Sequence, residues 1–283
     1  MFENGNRSIA LLPLIAAMAS VGCYGGEDVE GPTEHTGSLI AEVNVSKGKR
    51  IVFVDEGDGN VGVAEISTMG EAPLVAPMIQ REHATPLEIF LATALASEDA
   101  PELLVENHRE LAALQGREDL EPRSRASLQS LLGTMAAIVS TGVTPCDESG
   151  WEDPGGIWGN QPEGNWDAQF HNVTSEYNGT TTYPKAKTIT QLAAWNGGSG
   201  SYHTHGACIS SDAGADNKIT FVMKVNNVQV HTDDLFENVG NDDWITYTDY
   251  VSTGTVTRSE ITNAGNSAAT FRHSAGAWVP FPG

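Results

Sequence analysis

Residues 219–231 read ITFVMKVNNVQVH, and their period decides how the second half of the chain folds. Ile219, Phe221, Met223 and Val225 alternate with Thr220, Val222 and Lys224, the period of a strand with one buried face. Asn226-Asn227 is a two-residue turn, and Val228, Gln229, Val230 and His231 resume the alternation. The stretch is a β-hairpin.

Outward from it, Trp244 to Val251, Thr255 to Thr262 and Ala268 to Val279 read as further strands, separated by Gly, Asn, Thr and Ser. All six tryptophans (Trp151, Trp158, Trp166, Trp195, Trp244, Trp278) lie beyond Gly142-Val143-Thr144-Pro145-Cys146. Short strands with frequent turn signals and no helical period predict an antiparallel sandwich or jelly-roll-like domain over 146–283.

The preceding region, 38–143, has a different pattern. Arg50 to Val54 and Val61 to Ile66 are strands, joined by DEGDGN at 55–60. Its Asp-Gly and Gly-Asn steps favour a tight turn, and Gly57 stands where a calcium loop of the EF-hand type needs Asp or Asn. Three helices follow. Thr85-Pro86-Leu87-Glu88 opens the first with a capping box and a proline at its first position. Asp99-Ala100-Pro101-Glu102 opens the second, and Leu128, Leu131, Leu132, Met135 and Ile138 form the apolar stripe of the third. The chain is thus α+β overall: a strand hairpin with helices, then an all-β region. A charged segment without catalytic motifs, ahead of a distinct domain, also has the character of a pro-region.

The N-terminus sets the destination. Arg7 precedes an apolar run from Ile9 to Val21, too short to span a bilayer and suited to a secretory signal over 1–22. Ala17-Met18-Ala19 offers one cleavage site. Ser20-Val21-Gly22-Cys23 resembles the lipobox of bacterial lipoproteins, which implies lipidation of Cys23. Tyr24 follows where the lipoproteins retained at the inner membrane carry Asp, so the resemblance implies an outer-membrane or surface location, with secretion as the alternative. Residues 23–37 are Gly-rich and acidic, a flexible tether. With Cys23 lipidated, Cys146 and Cys208 remain as a pair for a disulfide in an oxidising compartment.

A formal net charge of -22, spread along the chain, repels phosphate backbones and speaks against nucleic acid as a partner. The membrane enters only through the lipid.

Chemistry is sparser. His203-Thr204-His205 would project from one face of a strand, near enough for one ion to touch both. Zinc needs further ligands, for which Asp212, His171, His231 and His273 are candidates. The pattern is similar to the His-x-His of cupins, but 206–211 hold no acid. The alternative is that the histidines are polar side chains of a glycine-rich loop. His231, in phase with Gln229, is expected on a solvated face, and His273, in phase with Phe271, as a hydrogen-bonded core residue. Asp233, Asp234, Asp242 and Asp243 offer oxygen to calcium, or are solvated turn acids.

Trp151, Trp158 and Trp166 sit among Gly, Pro, Asn and acids, where an indole face grips a sugar ring or fills a core. There is no Gly-x-Ser-x-Gly elbow, His-Glu-x-x-His helix, phosphate-binding Gly-rich loop with Lys, or Cys-x-x-Cys. The expectation is an exported, lipid-anchored surface protein whose C-terminal β-region binds carbohydrate or another surface component through Trp151, Trp158 and Trp166. Two alternatives stand beside it. One is a metal-dependent hydrolase built on His203, His205 and Asp212; the other is a structural envelope protein with no small ligand.

Overall fold

A computed structural model describes residues 37–139, 181–183, 188–194, 200–209, 218–236, 243–264 and 269–278. All of them belong to one compact unit, Glu34–Gly283. The fold is α+β, with four helices and two antiparallel sheets among the described residues.

Three strands come first: β1 (Ser38–Asn44), β2 (Lys49–Gly57) and β3 (Asn60–Ser67). Both glycines of the β2–β3 turn and Asp58 between them have positive φ (89°, 54° and 80° for residues 57–59), which explains the Gly-Asp-Gly sequence. Four helices follow: α1 (Val75–Glu82), α2 (Pro86–Thr93), α3 (Glu102–Leu114) and α4 (Arg125–Val139). The second half supplies β4 (Thr181–Tyr183), β5 (Thr188–Ala194), β6 (Ser201–Ile209), β7 (Lys218–Val225), β8 (Val228–Phe236), β9 (Asp243–Val251), β10 (Val256–Asn263) and β11 (Ala269–Trp278). Asn226 and Asn227 both adopt positive φ in the β7–β8 turn.

One sheet runs β1-β2-β3-β9-β6-β11-β4 and the other β5-β10-β7-β8. The ladder Val63–Thr248 to Ser67–Trp244 joins β3 to β9. The region 38–143 and the chain beyond 146 therefore share a sheet, and the change of composition at 143–146 is not an end of it. Cleaving off 38–143 would strip β9 of one of its two partner strands and leave it paired with β6 alone.

The seven-stranded sheet is buried on both faces where the two halves meet. Ile51, Phe53, Val61 and Val63 pack against the helices, with Phe53 edge-on to Phe90 at 5.8 Å. Val52, Val54, Ala64, Ala207, Ile245 and Tyr247 face the other way and share a core with Ile219, Phe221, Met223 and Ile261 of the four-stranded sheet. This alternation is why β2 and β3 read as nearly continuous apolar runs.

α2 begins as its sequence predicts: the Thr85 hydroxyl accepts from the Glu88 amide, and the Glu88 carboxylate accepts from the Thr85 amide. Glu88 also accepts from Arg117 and Arg123. Burial pushes its carboxyl up, but these donors outweigh it and bring it down to about 2.

α1 was not expected, and its start explains why. Leu74 stands at its N-cap without a side-chain bond. The first amides, of Leu74 and Val75, are capped instead by the Glu65 carboxylate from β3, at 2.8–2.9 Å. Glu65 is also paired with Lys49 at 3.0 Å, and both are buried. Lys49 lies 5.3 Å from the Trp244 ring centroid and donates to the Ala72 carbonyl, while the Trp244 indole donates to the Glu71 carbonyl at 3.0 Å. Strands from both halves thus close over one buried ion pair.

Removing one partner of such a pair strands the other charge in the interior, at about 3–5 kcal/mol. Glu65→Ala should lower unfolding free energy by about that amount in urea denaturation, whereas Glu42→Ala, at the exposed Arg50 pair, should cost less than about 1 kcal/mol.

Candidate functional site

β6 carries the sequence SYHTHGACI with every residue buried. Strand alternation places His203 and His205 on its face toward the four-stranded sheet, where Thr257 and Ser259 of β10 meet them. His203 Nδ1 lies 2.8 Å from Thr257 Oγ1, and the same hydroxyl lies 2.8 Å from His205 Nε2. His205 Nδ1 is 2.7 Å from Ser259 Oγ, which is 2.7 Å from His273 Nε2 on β11. Five side chains, each buried, form one series: His203, Thr257, His205, Ser259, His273.

Counting protons constrains this series. A neutral imidazole has one N–H and one lone-pair nitrogen, and a hydroxyl has one proton to donate. One consistent arrangement has His203 Nδ1–H donating to Thr257, Thr257 to His205, His205 Nδ1–H to Ser259, and Ser259 to His273. A hydroxyl can also accept from both of its neighbours, so only the two bonds of His205 are tied to each other: one nitrogen donates and the other accepts. The ends, His203 Nε2 and His273 Nδ1, have no hydrogen-bond partner among the described residues. Burial holds all three rings neutral: His203 falls to about 4 and His273 to about 3, while His205, lowered by burial and then by its two neighbours, falls well below its ordinary 6.5.

The loop alternative for the two histidines is replaced by a buried strand, on which they do share a face. Both nitrogens of His205 are in hydrogen bonds to hydroxyls, leaving no lone pair for an ion. No group of three or more His, Cys, Asp or Glu placed to hold a metal occurs among the described residues. Asp212 and His171 lie outside those residues, as do Trp151, Trp158, Trp166, Cys23 and Cys146. Cys208 is buried on β6 and disulfide-bonded.

The acids considered for calcium diverge. Asp233 accepts from Arg50 at 2.5 Å, Asp234 pairs with Lys218 at 2.6 Å, and the Asp243 carboxylate accepts from the Phe236 amide at 3.1 Å. Asp242 lies outside the described residues.

A hydroxyl, an imidazole and a carboxyl do come into sequence at Thr257, His203 and Asp249, the last directly across from His203 in the β6–β9 ladder. All three are buried, and the Thr257 hydroxyl is shared with His205. That arrangement organises a core and presents no nucleophile to a substrate.

His231 corrects the phase argument. The β7–β8 register slips between Met223–His231 and Lys224–Gln229, so Val230 is an extra residue on β8. The bulge turns His231 onto the inward side with Met223 rather than leaving it with Gln229. Its ring lies 5.7 Å from Tyr247, and its Nε2 is 3.7 Å from Asp233.

Here the structure shows a concavity that the sequence did not. Arg50, Val52, Val54, Val230, His231 and Asp233 line a groove of about 370 Å³ between the β1–β2 edge and β8. Arg50 and Asp233, hydrogen-bonded to each other, and Gly37, whose amide donates to the Gln229 carbonyl, are among its lining residues. Its apolar walls come from residues that also form the inter-sheet core. The signals were the alternation of β2 and the inward phase of β8 after the bulge; only tertiary pairing puts them side by side.

No protein-family model matches the chain, and no curated protein or solved structure is detectably similar to it.

Ser259 is shared by His205 and His273, so Ser259→Ala leaves both without their partner, at about 1–3 kcal/mol for each orphaned buried group. The histidines also fix a pH window. Their lowered folded values mean that the unfolded chain binds more protons below 6.5, so stability is present above that pH and lost as pH falls toward 4. Urea midpoints measured between about pH 4 and pH 6.5 should fall with acidification.

Proposed function

We propose that the protein is exported, anchored by lipid at Cys23, and holds a ligand-binding β-sandwich at the outer-membrane surface. The groove between the sheet edges carries this reading. It is concave and falls in the size range of small-molecule sites, about 300–1,000 Å³. It also joins apolar walls to a few fixed polar groups. Arg50, His231 and Asp233 would orient a polar ligand, and Val52, Val54 and Val230 would pack its apolar face.

The class of ligand proposed is carbohydrate or another surface component. Its support is the setting of Trp151, Trp158 and Trp166 among small polar residues, which suits aromatic packing with a hydrogen-bonded rim. Export is supported by the apolar run Ile9–Val21 and the lipobox-like Ser20–Cys23, and the acidic stretch 24–37 serves as the tether. No described helix is long and apolar enough to cross a membrane. Cys146 is the proposed partner of Cys208. No observation favours the metal-dependent hydrolase, since His205 has no free nitrogen.

Binding to arrayed glycans and surface polysaccharides tests the reading. The full chain should bind at least one class, with Trp158→Ala or Arg50→Ala losing about tenfold or more, equivalent to about 1.4 kcal/mol. Cys23→Ala should abolish metabolic labelling by palmitate. Binding to none of the probes, with labelling intact, would leave the structural envelope role.

A further inference from the structure

One end of the inter-sheet core holds acids with no cation bonded to them. Glu56 lies at the end of β2, and Tyr247 and Asp249 lie on β9. Tyr247 Oη donates to Glu56 Oε1 at 2.6 Å. The other oxygen of Glu56 and both oxygens of Asp249 are buried and receive no side-chain hydrogen bond among the described residues; the Asp249 carboxyl has only a weak contact with its own backbone amide. Gly62 makes room for them: a Cβ there would lie 1.8 Å from Tyr247 Oη and 2.5 Å from Glu56 Oε1. The glycine is required by this close approach, not by its φ.

Among the described residues, no Lys or Arg is hydrogen-bonded to either acid. Asp55 on β2 adds a negative charge. His203 on β6, opposite Asp249, is neutral, and the His231 ring from β8 rests 5.7 Å from Tyr247 without a bond to either acid. A carboxylate buried without donors or counter-charge is costly, so a buried carboxyl in this setting keeps its proton.

We propose that Glu56, Tyr247 and Asp249 form a proton-operated clasp: Asp249 is held as a neutral acid in the folded chain, and its ionisation releases the β2–β3 hairpin end from β9. The electrostatics agree with the geometry. Burial, and then the charge of Glu56, raises Asp249 well above the usual carboxylate range. Burial also raises Glu56 to about 7, against the lowering effect of the Tyr247 hydrogen bond.

The sign follows from proton counting. Acids with raised folded values bind more protons folded than unfolded, so their contribution is full below the unfolded value of 4.5 for Glu56 and falls as pH rises toward about 7. Asp249 extends the fall further. The buried histidines act in the opposite sense, but only below 6.5. Above that pH the clasp acts without them.

The test uses the full chain. Urea midpoints from about pH 6.5 to pH 9 are compared for the native sequence, Asp249→Asn and Glu56→Gln. Infrared spectra at neutral pH report the carbonyl band of a protonated carboxyl group. The native midpoint should decline across the range, Asp249→Asn should flatten the decline, and the band should be present in the native protein and clearly weaker in Asp249→Asn, where only the Glu56 carboxyl remains to contribute. An equal decline in Asp249→Asn, or no protonated-carboxyl band in the native protein, would overturn the proposal. Should Asp249→Asn fail to fold, the native spectrum and the Glu56→Gln midpoints still decide it.

Discussion

The pairing of β3 with β9 is the constraint on which the rest depends. It joins strands about 180 residues apart, so the ordering entropy of a long intervening chain must be met by interactions at the seam. Those interactions are made on both faces of one ladder. On the helix side Lys49, Glu65 and Trp244 close over the start of α1. On the other side Ala64, Ile245 and Tyr247 belong to the core shared with the second sheet. Without β9, β3 would be an exposed edge with an unpaired ladder, a form that proteins ordinarily cover or blunt.

That core is apolar near β2 and β7 and polar farther along β6. The histidine series is tolerated because every internal nitrogen meets a hydroxyl and every ring is neutral, so little charge is desolvated. The acid cluster beyond His203 follows another rule, since Tyr247 is the one side-chain donor bonded to it among the described residues and burial favours its protonated forms. Acid and alkaline limits of stability therefore arise from adjacent parts of one interior. The groove opens beside this region through His231, whose ring rests against Tyr247.

Local chemistry was legible in the sequence. The β2–β3 and β7–β8 hairpins, the Thr85–Glu88 box, the strands near β9, β10 and β11, and the shared face of His203 and His205 follow from alternation, turn residues and caps. What failed to show depends on distant partners. α1 is capped by Glu65 of β3, so no N-cap residue announces it. His231 points inward because of a bulge whose extra residue, Val230, looks like any other strand residue. Glu56 and Asp249 are 193 positions apart by number and meet only through the sheet. The change in tryptophan content near 143 is real, yet the sheet crosses it.

Native-state hydrogen exchange across the β3–β9 ladder measures the central claim most directly. If the two halves form one cooperative sheet, the amides of Val63 to Ser67 and of Trp244 to Thr248 exchange together, with the same free energy as global unfolding and the same response to Glu65→Ala. Fast exchange of β3 with β9 and β6 still protected would contradict it, and would make the chain after residue 146 a domain in its own right.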